Sequence, residues 1–372
     1  MKYAAYDYYS QLLNHLGSDE SIFFNGEFVY PKQLEIHLPG NHKIPCNLHC
    51  SHCQGRKYIR TISKYWELDA LELVNKLKGN IPYHIYGGAY TEPLLNPYLM
   101  TFLSTTKRYN NHFGIHTNGS LLYQLDKTHN WLSELNRIST DNVDYLSISL
   151  DAGSADSWAA SKKTKHSYLF DDILKAIEKA CKLQTDKSHA IRLCYLISDE
   201  TSSEEELKYI IDFAKKNKID SLRFSIPYAV YTQSFDVLKE YKKDVEIPNH
   251  TKYYNILKPY LSKSNNEKPF IFYVNPETTS YNQYDFDKCV YSYFQITLGA
   301  DGNFYRCSAI AAPTAKHAIL GPITPDLNNF KKVVMSNYNE NWDCKTMCFD
   351  KGLRCNRQAI IINKKYKDYL NK

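Results

Sequence analysis

No run of about 18 apolar residues occurs in the sequence, which excludes an ordinary membrane-spanning helix. The opening segment carries Asp7, Asp19 and Glu20 and has no long apolar core, so a secretory signal peptide is excluded too. There is no block of about five consecutive Lys or Arg, and a net charge of +6 from 46 basic and 40 acidic residues is too dispersed to form a nucleic-acid stripe. Gly, Pro and Gln runs are absent, so nothing marks a disordered segment. These absences point to a folded cytoplasmic chain with neither a membrane nor a nucleic acid as partner.

In a reducing compartment ten cysteines are not expected to form disulfides, and metal or catalytic roles become the better explanation. The 32 tyrosines either line a cavity with amphipathic rings or pack half-buried at strand ends.

Short β-rich runs alternate with helical patterns between residues 34 and 226, the signature of βα units around a parallel sheet. Six strands are predicted at 34–38, 83–86, 113–117, 145–150, 191–196 and 221–226, each apolar enough to be buried on both faces. Helices are predicted at 66–77, 97–107, around 121–135, 168–183 and 203–215. Ser202 and Ser203 followed by Glu204 to Glu206 look like a capped, acid-rich start to the last of these. Six units are too few to close an eight-stranded barrel, so a partial (βα)6 TIM-like barrel is expected, its site at the C-terminal strand ends.

The chain divides into an N-terminal extension (1–33), the barrel (34–228), a connecting region rich in Tyr, Lys, Asn and Pro (229–285) and a small C-terminal domain (286–372). The last contains a hairpin signal, in which runs at 293–298 and 304–307 flank Ala300-Asp301-Gly302-Asn303.

Directly after the first predicted strand comes Cys46-Asn47-Leu48-His49-Cys50-Ser51-His52-Cys53, three thiols within eight residues. Three thiolates can ligate three irons of a cubane and leave the fourth iron open. The other readings are a zinc site, for which His49 or His52 would supply the fourth ligand, and a set of buried thiols.

The CxxxCxxC triplet after strand one resembles the signature of the radical S-adenosylmethionine (SAM) superfamily. The resemblance implies a 4Fe-4S cluster on Cys46, Cys50 and Cys53, its open iron chelated by the methionine part of SAM, with His52 near the adenine. Four later stretches are similar to further motifs of that family. Gly87-Gly88 with Glu92 looks like the turn that binds the SAM amino group, although Ala89, Tyr90 and Thr91 separate the acid from the glycines. Asn118 lies in a Thr-Asn-Gly turn. Ser149 and Asp151 match residues near the ribose and methionine, Asp151 being alternatively a helix cap. Arg192 resembles the partner of the SAM carboxylate, while Arg192 and Arg223, both in apolar runs, can also be read as buried ion pairs.

Cys289, Cys307, Cys344, Cys348 and Cys355 resemble the auxiliary-cluster module called SPASM in its full form and twitch in its shortened form. Five cysteines are enough for one auxiliary 4Fe-4S cluster with a thiol to spare, Cys355 by order; a zinc knuckle is the alternative. Cys181 and Cys194 read as small buried hydrophobes.

The family implies reductive cleavage of SAM, by an external donor such as flavodoxin or ferredoxin, to a 5′-deoxyadenosyl radical that removes a hydrogen atom from a substrate. Resemblance to twitch-bearing dehydrogenases favours oxidation of a sugar, nucleotide-linked sugar or other small molecule. The alternatives are an epimerase with Cys355 as hydrogen donor, a maturase of ribosomal peptides and, distantly, a non-catalytic metal-binding protein. The 33 residues before strand one are short for the leader-binding domain of a peptide maturase.

Overall fold

The structure, a computed structural model, describes residues 27–40, 44–50, 53, 66–88, 90–226, 250–264, 266–274, 289–308, 311, 316–339 and a few positions from 362 on. Strands β1 (Gln33–Ile36), β2 (Tyr83–Tyr86), β3 (His112–Thr117), β4 (Tyr145–Ser149), β5 (Ala190–Leu196) and β6 (Ser221–Ser225) fall on the six predicted runs and pair in parallel in chain order.

The parallel array extends past the six strands expected. β7 (Phe270–Tyr273) adds in parallel to β6, and β8 (Gln295–Leu298) pairs in parallel with the free side of β1. β9 (Asn303–Tyr305) and β10 (Ile319–Pro322) follow antiparallel, so the sheet runs β10-β9-β8-β1-β2-β3-β4-β5-β6-β7 and stays open between its two edges. The architecture is that of a partial parallel barrel. The predicted hairpin is β8–β9, turned at Gly302 with φ +84°.

Helices fill the crossovers as the periodicity requires. In α1 (Trp66–Leu77) the spacing of Trp66, Ala70, Leu73, Val74 and Leu77 turns one apolar stripe onto the sheet. Each large aliphatic side chain so buried contributes about 1.5–3 kcal/mol. α2 (Leu99–Arg108) follows β2. The single stretch expected around 121–135 is two helices, α3 (Leu122–His129) and α4 (Trp131–Ile138), because Asn130 adopts a left-handed conformation between them. Asp126 steadies that break, its carboxylate accepting from the Leu132 N–H at 3.1 Å.

α5 (Ala155–Lys162) was not legible from pattern; Ser154 caps it by accepting from the Ser157 N–H. α6 (Leu169–Leu183) packs Phe170, Ile173, Leu174 and Ile177 inward. α7 (Glu204–Lys216) begins at Ser203, whose side chain accepts from the Glu206 N–H, with acids in its first turn and lysines in its last. α8 (His250–Leu257) lies in the crossover between the parallel strands β6 and β7, and α9 (Leu327–Asn339) follows β10. Among the described residues no helix is long and apolar enough to cross a membrane.

The expectation that the strands are buried on both faces holds for β4 and β5 and is corrected for β1 and β2. In β1 and β2 burial alternates strictly: Leu34, Ile36, His84 and Tyr86 are fully buried, while Gln33, Glu35, Tyr83 and Ile85 are half-buried. In-register parallel partners share a face, so Ser147 lies between His116 and Arg192, and Ser221 lies beside Arg192. Helices cover the apolar face. The other face is a polar wall, on which Ser147, Arg192 and Ser221 are each buried.

Candidate active site

Since β1 to β4 are parallel, their C-terminal ends lie along one edge, and the loops that follow carry the motifs found in the sequence. The loop after β1 is anchored at three points. Pro45 O accepts from the Gly40 and Glu92 N–H groups at 3.2 and 2.9 Å, the Cys53 N–H donates to Cys50 O at 3.2 Å, and Leu48 is buried in the core. Cys46, Cys50 and Cys53 are all half-buried and interact electrostatically with one another. Burial first, then the charge of Glu92 and the other two thiols, pushes the Cys46 thiol up to about 12. Three thiols crowded this way ionise together only against a cation.

Asn118, in the turn after β3, serves this loop. Its amide donates toward Cys46 Sγ at 3.6 Å and to Asn47 Oδ1 at 3.1 Å, while its own Oδ1 accepts from the Ser120 N–H and hydroxyl. Asn47 reciprocates by donating to Ser120 Oγ at 2.8 Å.

The two glycines after β2 are required by close approach. Gly87 has φ +102°, and a Cβ there would sit 2.2 Å from His116 O; a Cβ on Gly88 would lie 2.0 Å from the His37 ring. Glu92, 1% exposed, caps the short helical turn at Pro93–Leu95 and ties it to the turn after β3. Its carboxylate accepts from the Leu94 N–H at 3.0 Å, the Thr117 hydroxyl at 2.5 Å and the Asn118 N–H at 2.7 Å. Burial raises its pKa to about 7 against the opposing effect of these hydrogen bonds and of Lys162.

Asp151 follows β4 in a left-handed conformation, φ +58°. It does not cap α5, a role Ser154 fills. Its Oδ1 accepts from the Leu196 N–H at 2.8 Å and its Oδ2 is ion-paired with Lys162. Lys162 is 1% exposed and was missed in the sequence, where a lysine beside Lys163 carries no signal of burial. Its carbonyl accepts from the His49 N–H at 3.1 Å, so the end of α5 holds the cysteine loop. Burial pulls the Lys162 ammonium down, but Asp151 and the thiols of Cys50 and Cys46 more than offset this and hold it protonated.

On the polar wall, the guanidinium of Arg192 lies 3.8 Å from the centre of the Tyr145 ring, whose hydroxyl is 2.9 Å from His116 Nε2. Gly114 leaves the room for that ring. Burial lowers the His116 imidazole to about 4, with Arg223, Arg192 and His37 adding to the shift and Glu35 opposing it, so it is neutral at pH 7. Glu35 accepts from Gln295 at 2.7 Å and lies 2.8 Å from His37 Nε2. Ser149 stands half-buried at the end of β4, opposite Cys194.

Cys289 and Cys307 flank the β8–β9 hairpin, Cys289 Sγ accepting from Asn363 Nδ2 at 3.6 Å. His52, Cys344, Cys348 and Cys355 lie outside the described residues. Cys194 is buried against Ser147 and Cys181 packs on the core from α6. A second donor group, His112, Asp141 and Asp144, sits at the opposite edge of the sheet, where the Lys107 ammonium already pairs with Asp144 at 2.8 Å.

The donor chemistry fits an iron-sulfur cluster. Three thiols from one short loop, no fourth cysteine beside them among the described residues, and a buried ammonium within electrostatic reach suit a group that brings net negative charge. An open parallel sheet with such a loop at the end of its first strand presents the three thiols at the C-terminal strand ends.

Residues 45–214 match the family model of the radical SAM superfamily. That segment, somewhat under half of the chain, is similar to a radical SAM domain. The fold of the chain is similar to that of SuiB from Streptococcus suis, solved with S-adenosylmethionine, at a TM-score of 0.52 and 16% identity over 81% of this chain and 66% of that one. For another SuiB structure the values are 0.51 and 15%, over 81% of this chain and 63% of SuiB, so the chain spans a little under two thirds of that protein's length. It is also similar to anSMEcpe, solved with AdoMet and the Cp18Cys peptide, at 0.50 and 14% identity over 92% of this chain and 97% of that one. No curated protein sequence matches the chain.

Proposed function

We propose that this enzyme oxidises a polar small molecule, a sugar or a nucleotide-linked sugar, held against the polar wall beside the cysteine loop. Cys46, Cys50 and Cys53 hold the cluster, and Gly87, Gly88, His52, Ser149, Asp151 and Arg192 border the SAM site, with Glu92 and Asn118 bracing it. When bound, the cluster with SAM supplies the radical that takes a hydrogen atom from the substrate. Cys289 and Cys307, with thiols from Cys344, Cys348 and Cys355, hold an auxiliary cluster suited to accept the second electron.

The observation that supports this reading best is the row Glu35, His37, His116, Tyr145, Arg192 and Arg223 on one face of the sheet whose first strand leads into the thiol loop. Arg223 favours a substrate with an anionic group, neutral His116 and Tyr145 offer hydrogen bonds to hydroxyls, and Glu35 keeps His37 oriented. The enzyme works in the cytoplasm with flavodoxin or ferredoxin as donor. A peptide side chain is the second reading, favoured by the likeness in fold to anSMEcpe along nearly its whole length.

Anaerobic protein reduced in the presence of SAM and a candidate substrate deuterated at the reacting carbon tests the proposal. Deuterium entering 5′-deoxyadenosine from an anionic sugar supports it; transfer only from a peptide replaces it with the second reading. About eight irons per chain support the auxiliary cluster and about four exclude it.

A further inference from the structure

Lys162 is a buried cation tied to the cysteine loop by one main-chain hydrogen bond and, through space, by its charge. Its main-chain oxygen accepts from the His49 N–H, and its side chain is paired with Asp151, in electrostatic reach of Cys50 and Cys46. A buried ion pair is weak support for folding, since a well-packed apolar pair of the same volume usually stabilises as much. The pair is also held in place: Asp151 is fixed by its left-handed backbone and by the Leu196 N–H, and Lys162 ends α5 beside fully buried Trp158. A rigid charge in electrostatic reach of two of the three thiols, Cys50 and Cys46, acts on whatever those thiols bind.

We infer that Lys162 is a positioning residue that sets the reduction potential of the Cys46, Cys50 and Cys53 cluster, its ammonium favouring the reduced state, and that Asp151 attenuates this effect. Adding an electron to a thiolate-bound cluster increases negative charge, and a nearby fixed positive charge in a low-dielectric setting stabilises that product over the oxidised state. The two members of the pair therefore act with opposite sign. This inference rests on the assignment of the cluster to these three thiols.

The test is an EPR-monitored redox titration of the anaerobic, cluster-loaded protein without SAM, comparing wild type with Lys162→Met, Lys162→Arg and Asp151→Asn. Every substitution at 162 keeps the main-chain bond to His49, and Asn tolerates the left-handed conformation at 151. The expected result is a lower potential in Lys162→Met, by at least about tenfold in the one-electron equilibrium, or about 59 mV. Lys162→Arg should lie near wild type, and Asp151→Asn should shift upward. Loaded variants whose potentials match wild type, or move in the same direction in Lys162→Met and Asp151→Asn, overturn the inference. Should Lys162→Met fail to hold the cluster, the sign of the Asp151→Asn shift and the Lys162→Arg value decide. A wild-type protein with no cluster signal that depends on the three cysteines defeats the assignment itself, which is a distinguishable failure.

Discussion

The carboxylate of Glu92 and the hydroxyl of Thr117, 25 residues apart in sequence, meet at 2.5 Å inside the protein. That bond joins the turn after β2 to the turn after β3, and both turns touch the cysteine loop, through Pro45 O and through Asn118. Thr117→Val removes the donor and leaves a buried acid with one partner fewer. Urea unfolding should show a loss of about 1–3 kcal/mol. An unchanged midpoint would mean the brace is dispensable.

Gly87 and Gly88 admit no side chain without displacing His116 O or the His37 ring. Gly87→Ala and Gly88→Ala should each destabilise by at least about 2 kcal/mol, with Gly87→Ala the worse because its backbone is also strained. Gly79, whose nearest neighbour to an added Cβ is 3.5 Å away, is the control. Gly79→Ala should stay within about 0.5 kcal/mol of wild type in thermal melts.

Buried titrating groups give the metal-free protein two opposing pH dependences. Burial lowers His84, His116 and His189 from 6.5 to about 4. The unfolded chain therefore binds protons first, and stability is lost as pH falls from 6.5 toward about 4. Glu92 is raised from 4.5 to about 7, so its favourable contribution is complete below 4.5 and is lost as pH rises through about 7, roughly 3 kcal/mol in all. Glu92→Gln removes only the second effect. Its stability should rise more steeply than wild type between pH 4.5 and 6.5 in denaturant titrations at a series of pH values, and parallel curves would refute the assignment.

Cysteine roles separate by metal content. Cys46→Ala, Cys50→Ala and Cys53→Ala should each lose about four irons per chain and all 5′-deoxyadenosine production. Cys181→Ala and Cys194→Ala should keep both, at a modest cost in stability from the small cavities left. Iron retained in Cys46→Ala would move the cluster elsewhere.

Residue order by itself determined the parallel βα array and the identity of the thiol loop. Alternating apolar runs can pack only as strands under helices, and three thiols within eight residues share one loop wherever the chain goes. The hairpin at Gly302 and the capped start of α7 were legible for the same local reason. Tertiary structure alone decided what is near that loop. Lys162 looks like any surface lysine in its helix, and only the packing of α5 against α6 and the turn at Asp199–Thr201 buries it beside Asp151. The polar wall was hidden because runs such as those of β4 and β5 read as uniformly apolar, whereas register sorts Ser147, Arg192 and Ser221 onto one face. β8 joined β1 across more than 250 residues, a pairing set by hydrogen bonds between backbones that no local pattern encodes.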